Sequence, residues 1–132
     1  MPKHILLVDD NPAVRTATKT YLQLQADFTI CGEACDGIEA VEKALELSPD
    51  LIVMDLSMPR MNGLEAARKL TKQMPHVPIV LLTSYKSVLS DSDAAAAGIS
   101  AVISKADGPR SLKTEIQSLL DTPLDVFSGT PS

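Results

Sequence analysis

The sequence has few aromatic residues and no excess of basic ones, and both features narrow what the protein can be. Of 132 residues, two are Tyr, two are Phe and none is Trp, so the core must be built from aliphatic side chains and Met. Twelve basic residues against seventeen acidic ones give a formal net charge of −5. A surface that binds nucleic acid normally needs a basic face, so we expect no direct binding of nucleic acid.

Long apolar runs are missing too. No stretch approaches the roughly 20 apolar residues that span a bilayer, and the opening residues lead into a strand-like run without signal-peptide features. We therefore expect a soluble, cytoplasmic protein with no membrane contact. Three residues separate the two cysteines, Cys31 and Cys35, a spacing that fits neither a zinc knuckle nor a redox motif. We predict two reduced thiols in or near a strand.

Five short apolar runs, typical of strands, alternate with amphipathic segments along the chain. The runs are Ile5–Val8, Phe28–Ala34, Leu51–Met54, Ile79–Leu82 and Ala101–Ile103. Three of them are continuously apolar, as expected for strands that are covered on both faces. Strict alternation of strands with helices predicts an α/β fold around a parallel sheet. The commonest arrangement of five such strands is the flavodoxin-like order 2-1-3-4-5, a doubly wound (βα)5 sandwich of three layers.

The intervening segments have the apolar spacing of helices. The inward positions are predicted to be Val14, Ala17, Tyr21 and Leu24 in the first, Ile38, Val41 and Leu45 in the second, Leu64, Ala67, Leu70 and Met74 in the third, and Leu112, Ile116 and Leu119 in the fifth. The fourth helix is predicted around Val88 to Ala97. After Asp121 the pattern stops, so we predict one domain over residues 1–121 and a tail or linker stub over 122–132.

Acidic residues follow two strands that are neighbours in the predicted order. Asp9 and Asp10 follow the first strand and Asp55 follows the third. Adjacent strands lie about 4.8 Å apart, so these carboxylates should crowd together, and their mutual repulsion would raise at least one pKa. A hard cation relieves this conflict, and Mg²⁺ suits it best because it takes oxygen ligands and retains several waters. The sequence therefore predicts a weak, open Mg²⁺ site.

Two further strands end in Thr83 and Lys105, whose hydroxyl and ammonium groups suit a phosphoryl group. A carboxylate can attack phosphorus to form an aspartyl phosphate, and this reaction asks of a protein mainly positioning and electrostatic stabilisation. Asp55 is the candidate nucleophile. Alone, Thr83 would be an ordinary strand residue and Lys105 a solvated loop lysine, but their shared location at strand ends favours a site.

These residues, taken in order, resemble the receiver domain of bacterial two-component response regulators. The matching segments are Val8-Asp9-Asp10, Met54-Asp55 with Met58-Pro59 and Asn62-Gly63, Leu82-Thr83-Ser84, and Lys105. The correspondence runs from about residue 3 to residue 121, which would make residues 1–121 a receiver domain. The loop Lys105-Ala106-Asp107 resembles that of receivers that precede LuxR-type helix-turn-helix domains.

The resemblance implies a phosphoacceptor signalling domain that catalyses its own phosphotransfer and dephosphorylation, not an enzyme with a separate substrate. Asp55 would accept the phosphoryl group from a histidine kinase or histidine phosphotransfer protein. Phosphorylation would shift a two-state equilibrium of the face formed by the fourth helix, fifth strand and fifth helix, through which a homodimer could form.

The resemblance also assigns roles around Asp55. The Mg²⁺ ligands would be Asp10, Asp55 and the backbone carbonyl of Ser57, with Asp9 acting mainly through water. The groups that bind the phosphoryl oxygens would be the Thr83 hydroxyl, the Ser84 backbone N–H and the Lys105 ammonium.

Two positions depart from the family pattern. Val102 stands where the family usually has an aromatic residue, so the usual Thr–aromatic switch cannot operate in that form. Tyr85, two residues after Thr83, is a weaker candidate for a side chain that changes exposure. Ala106 follows the lysine where proline is frequent, and a cis bond at Lys105–Ala106 would cost about 3 kcal/mol relative to trans.

Other readings stay open. The missing aromatic at Val102 motivates a receiver-like interaction module that works without phosphorylation. A haloacid-dehalogenase-type phosphatase would need a second Asp where Ser57 stands, and a flavin site would need a phosphate loop after the first strand. The chain could act alone or with a DNA-binding output domain in a longer regulator.

Overall fold

The computed structural model describes residues 2–84 and 90–120. The strands are β1 Lys3–Val8, β2 Phe28–Ala34, β3 Leu51–Asp55, β4 Ile79–Thr83 and β5 Ala101–Ser104. The helices are α1 Pro12–Gln23, α2 Gly37–Leu47, α3 Gly63–Gln73, α4 Asp91–Ala96 and α5 Gly108–Leu120, and a 3₁₀ turn over Lys105–Asp107 precedes α5. Tyr85, Val88 and the predicted tail over residues 122–132 lie outside the described residues.

The strands form one parallel sheet in the order β2-β1-β3-β4-β5, which confirms the predicted flavodoxin-like topology. In the register of the central strands, Val8 lies opposite Met54, and Asp55 lies opposite Leu82. Each predicted strand is present, and β3 and β4 each extend one residue further than expected, to Asp55 and Thr83. The sheet therefore aligns the carboxyl ends of β1, β3, β4 and β5 along one edge.

Side chains alternate between the two faces of the sheet and form two separate clusters of buried residues. One cluster packs under α2, α3 and α4 and is rich in alanine: Ala34, Ala40, Ala44, Ala66, Ala67, Ala94 and Ala97. The other packs under α1 and α5 and is built from larger residues, among them Leu22, Phe28, Leu112 and Ile116. We call these the alanine-rich face and the α1–α5 face.

Two helices present different residues to the sheet than predicted. Leu24, expected to point inward, caps the C-terminus of α1 and is 75% exposed, while Leu22 is fully buried. Leu45 is 49% exposed, and α2 instead buries Ala40 and Ala44. In α2, small residues let the helix backbone approach the sheet closely, so Ala40 and Ala44 take the inward face and the larger Leu45 lies outside. In α1 the difference comes from the helix end, because Leu24 lies beyond the last helical residue, Gln23.

The other described helices follow the predicted pattern, with Ala67 and Leu70 buried in α3 and Leu112 and Ile116 buried in α5. Across residues 2–84 and 90–120, the helices are all too short or too polar to cross a membrane. Cys31 lies in β2 and Cys35 directly after it, and both are free thiols, as predicted.

Candidate functional site

Three carboxylates meet at the carboxyl edge of the sheet. Because Val8 pairs with Met54, the residues that follow them, Asp9 and Asp55, lie side by side. One carboxylate oxygen from each of Asp9, Asp10 and Asp55 lies within 4.8 Å of the other two. Asp9 and Asp55 are only 2% and 5% exposed, whereas Asp10 is exposed. Clustered oxygen donors with one open side fit a hard divalent cation such as Mg²⁺.

Lys105 reaches the same edge from β5. Its Nζ lies 3.3 Å from Asp9 Oδ2 and 3.4 Å from Asp55 Oδ1, so one ammonium bridges two buried carboxylates. The 3₁₀ turn that presents it is fixed by the Ala106 N–H, which donates to Ser104 Oγ at 3.2 Å. The Lys105–Ala106 peptide is trans, so the turn forms without the cis bond often seen where proline occupies that position.

The environment of Asp55 disfavours its ionised form in this arrangement. Burial raises the pKa of Asp55, and the nearby Asp9 carboxylate raises it further. Lys105 and the Ser57 backbone N–H lower it, but the net shift is upward. Additional positive charge among these carboxylates would favour the ionised form. A cation bound at this edge and the ionised form of Asp55 would therefore stabilise each other.

The other predicted site residues lie along the same edge. Thr83 ends β4 and is 4% exposed, and Ser84 follows it at the surface. Thr83 pairs with Ser104, which places it between the strands that carry Asp55 and Lys105. Ser57 is exposed, two residues beyond Asp55. All seven residues predicted for the site therefore lie on one side of the molecule.

Glycines hold the loop after Asp55 in place. The Gly63 N–H donates to the Leu56 carbonyl at 2.8 Å, and a side chain at Gly63 would collide with the Asp55 carbonyl oxygen. The Gly37 N–H donates to the Met61 carbonyl at 2.9 Å, where a side chain would also collide. Close backbone contact is the physical reason for glycine at both positions.

An ion pair that sequence reasoning missed closes the same loop. Arg60 has a left-handed backbone (φ 65°), and its Nε donates to Asp36 Oδ2 at 3.0 Å. Asp36 is buried and also caps α2, accepting from the Glu39 N–H at 2.8 Å. The Glu39 backbone N–H and the Arg60 guanidinium hold the pKa of Asp36 below its usual value. Asp36-Gly37 is a recognisable helix start, but its partner 24 residues away leaves no sequence signal.

A second missed network lies on the β1–α1 side. Arg15 Nη1 donates to the Asp9 carbonyl oxygen at 2.6 Å, and Arg15 Nε donates to Glu33 Oε1 at 2.9 Å. Lys19 Nζ lies 2.9 Å from Glu33 Oε2, and the Lys19 and Arg15 side chains hold the pKa of Glu33 below its usual value. The i, i+4 spacing places Arg15 and Lys19 on one helix face, but it does not identify Glu33 as their partner.

A cleft of about 290 Å³ opens between α1 and α5 beside the site. Its lining is mostly apolar and ends at Lys105; the residues are Val14, Ala17, Thr18, Leu82, Ser104, Lys105, Gly108, Pro109 and Leu112. Ala17, predicted to be inward, lies exposed at this cleft. The α1–α5 face therefore carries an open cleft that ends beside the acidic edge.

A family model described as "Response regulator receiver domain" matches residues 5–117, a span that holds every site residue named above. The chain belongs to this family. Receiver domains are signalling domains of two-component systems, and the fold and the clustered acidic edge agree with membership.

Two response regulator proteins are similar in sequence to part of this chain. The receiver is 47% identical over 85 residues to the response regulator protein VraR of Staphylococcus saprophyticus, a match that covers 64% of this chain and 41% of the relative. It is 44% identical over 81 residues to VraR of Staphylococcus aureus, covering 61% of this chain and 39% of that one. The matched region spans about two fifths of the length of these relatives.

Solved receiver structures share the fold over most of the chain. The response regulator domain of Thermotoga maritima CheB superposes with a TM-score of 0.85 at 30% identity, covering 93% of this chain and 99% of that one. A LuxR-family two-component response regulator from Aurantimonas gives a TM-score of 0.85 at 29% identity, covering 92% and 86%. This similarity to a LuxR-family regulator agrees with the likeness of the Lys105-Ala106-Asp107 loop to receivers that precede LuxR-type domains.

Proposed function

We propose that this receiver accepts a phosphoryl group on Asp55 from the phosphohistidine of a histidine kinase or histidine phosphotransfer protein. The observation that carries the proposal is the meeting of Asp9, Asp10, Asp55 and Lys105 at one edge, with Asp55 almost wholly buried. As a partner of such kinases it works in the cytoplasm. The output is a partner protein or a linked output domain, and the receiver itself does not bind nucleic acid.

In the transfer, an Asp55 carboxylate oxygen forms a bond to phosphorus while the phosphorus–nitrogen bond of the phosphohistidine breaks. The leaving imidazole nitrogen keeps the bonding electron pair and takes up a proton. The Lys105 ammonium, which contacts Asp55 at 3.4 Å, then forms an ion pair with the new phosphoryl oxygens. The Thr83 hydroxyl and the Ser84 backbone N–H donate to the same oxygens. The reaction needs little from the protein beyond positioning and charge, so this domain catalyses both its own phosphorylation and the later hydrolysis of the aspartyl phosphate.

Asp10, Asp55 and the Ser57 carbonyl would hold Mg²⁺ directly, with Asp9 acting mainly through water. When bound, Mg²⁺ neutralises phosphoryl oxygens and the crowded carboxylates. The three clustered carboxylates support this assignment. Burial is the main cause of the raised pKa of Asp55, and the repulsion from Asp9 that adds to it is the part that a cation would relieve.

Phosphorylation changes the charge at the end of β3 and thereby shifts the populations of two arrangements of α4, β5 and α5. Val102 packs against the alanine-rich face beneath α4, in the place where other family members carry an aromatic residue. The shift in this chain therefore proceeds without an aromatic at that position, and the changed face binds a partner or a second copy of the chain.

The test is intact mass after incubation with acetyl phosphate, with and without Mg²⁺. We expect wild type to gain one phosphoryl group only with Mg²⁺ present, and Asp55→Asn to gain none. Asp27→Asn is the matched control, because Asp27 is an exposed aspartate at the opposite end of the sheet, and it should be labelled like wild type. No mass gain in folded wild-type protein would contradict the proposal and favour an interaction module that works without phosphorylation.

A further inference from the structure

Asp9 is the most heavily constrained residue of the acidic edge. It is 2% exposed, and each of its polar groups has a partner. Its N–H donates to the Ala34 carbonyl at 3.0 Å, its Oδ1 accepts from the Asn11 N–H at 2.9 Å, and its Oδ2 faces Lys105. The remaining group, the backbone carbonyl, accepts from Arg15 at 2.6 Å. Arg15 thus supplies the side-chain contact to the backbone at the end of β1, beside the bond of the Asp9 N–H to β2.

Arg15 is itself held from the other side. Its Nε–Glu33 contact at 2.9 Å ties the guanidinium to β2, and Lys19 occupies the second Glu33 oxygen at 2.9 Å. Because the guanidinium is a rigid fork, fixing one side against Glu33 aims the other side at Asp9. A continuous line of contacts therefore runs from Lys19 through Glu33, Arg15, Asp9 and Lys105 to Asp55.

We propose that Arg15 is a positioning residue for the metal pocket, which holds the β1–α1 turn so that the Asp9 and Asp10 carboxylates face Asp55. This inference rests on the proposed function, since it concerns the pocket to which that function assigns Mg²⁺. Arg15 carries positive charge, so its charge alone would weaken the attraction for Mg²⁺. Its benefit to the pocket comes from the two directed hydrogen bonds.

Geometry and charge can be separated with two substitutions. Arg15→Lys keeps the charge, but a single ammonium cannot reproduce the two-sided contact with Asp9 and Glu33. Arg15→Gln removes the charge together with the fork. If positioning decides, both variants bind Mg²⁺ more weakly. If charge decides, Arg15→Lys binds like wild type and Arg15→Gln binds more tightly.

The measurement is the Mg²⁺ dissociation constant, obtained from backbone amide chemical shifts of the isotope-labelled chain titrated with MgCl₂. We expect both Arg15 variants to bind about tenfold more weakly, the usual size of effect when a group that orients a metal ligand is lost. Arg68→Lys and Arg68→Gln are the matched controls, because Arg68 is an exposed arginine on α3, away from the pocket. They should stay within twofold of wild type.

Glu33→Asp provides a second route, since the shorter side chain weakens the hold on Arg15 while it keeps the negative charge and every group that touches Asp9. We expect a smaller loss of Mg²⁺ affinity, of about threefold, below the roughly 10- to 100-fold loss that is typical when a direct partner of a ligand is removed, and this variant carries the test if the Arg15 variants do not fold. The inference is overturned if folded Arg15→Lys binds Mg²⁺ within twofold of wild type, if folded Arg15→Gln binds as tightly as wild type or more tightly, or, where neither Arg15 variant folds, if Glu33→Asp binds within twofold of wild type.

The two proposals fail in different ways. If wild type binds Mg²⁺ but gains no phosphoryl group from acetyl phosphate, the proposed function fails while the role of Arg15 can still be measured. If wild type is labelled on Asp55 and the Arg15 variants bind Mg²⁺ normally, only the role of Arg15 fails.

Discussion

The two faces of the sheet are packed by different means. The alanine-rich face uses small residues on α2 and α3 that bring helix backbones close to the strands, and its seven buried alanines include Ala44 and Ala67. The α1–α5 face uses fewer and larger side chains and leaves a cleft of about 290 Å³ beside Lys105. A close-packed region resists added volume and cannot collapse around lost volume, whereas a region beside an open cleft can accommodate either change. We therefore expect the alanine-rich face to tolerate changes of side-chain volume less well than the α1–α5 face.

The largest effect should come from deleting a leucine side chain on each face. Leu70 in α3 is enclosed on the alanine-rich face, whereas Leu112 in α5 lines the cleft. Leu70→Ala leaves a sealed cavity and should cost about 4 kcal/mol of unfolding free energy, while Leu112→Ala enlarges an open cleft and should cost about 2 kcal/mol. Urea unfolding followed by far-UV circular dichroism measures both. Equal costs would remove the difference between the faces.

Adding a larger side chain should also destabilise the alanine-rich face more than the α1–α5 face. Ala67 is fully buried in α3, and Ala17 lies at the cleft. Ala67→Leu overpacks its face and should cost about 2 kcal/mol, whereas Ala17→Leu has room and should change the unfolding free energy by no more than about 0.5 kcal/mol. The same urea titration serves, and a loss of stability in Ala17→Leu as large as in Ala67→Leu would argue against an accessible cleft.

The smallest effect should come from neutralising one carboxylate beside each face. At the start of α2, Asp36 pairs with Arg60. On the other side, Glu33 pairs with Arg15 and Lys19 of α1. The pKa of both carboxyl groups is lowered in the folded chain. Each therefore adds stability that is fully present above the unfolded-state pKa, about 4, and lost as the pH falls through the lower folded-state pKa. Asp36→Asn, which retains a capping side chain, and Glu33→Gln should each cost about 0.5 kcal/mol at neutral pH.

Urea unfolding at about pH 6 and about pH 2.5 checks this, because the cost of each substitution should shrink at the acidic pH. A change of ionic strength should further distinguish the two carboxylates. The Lys19 side chain is the main cause of the Glu33 shift, while a backbone N–H is the main cause for Asp36. Raising ionic strength should therefore reduce the cost of Glu33→Gln more than that of Asp36→Asn. A cost that is the same at both pH values would show that charge is not involved.

The sheet and its edge could be predicted from the sequence because the signals are local. Each strand is an apolar run, and Asp9 and Asp55 directly follow two of these runs, so the strand order alone brings them together. The inward faces of α1 and α2 could not be predicted in the same way. Apolar spacing favours large residues such as Leu24 and Leu45, but close approach of helix and sheet selects Ala40 and Ala44.

Contacts that depend on register were also beyond the sequence. Arg15 lies on α1 and Glu33 on β2, and the packing of α1 beside β2 brings them together. Arg60 meets Asp36 because the loop after β3 turns back over the start of α2, with Arg60 in a left-handed conformation that its residue type does not favour. Such contacts follow from the fold and are visible once it is formed.

The position of β5 in the sheet has a consequence for folding. The acidic residues follow the adjacent strands β1 and β3, whereas Lys105 follows β5, which lies beyond β4. An intermediate in which β1 has paired with β3 before β5 has docked would hold the three carboxylates together without the Lys105 ammonium. Divalent cations from solution would relieve the repulsion between the carboxylates in such an intermediate. We expect the pairing of β1 with β3 to be the folding step that responds most strongly to divalent cations.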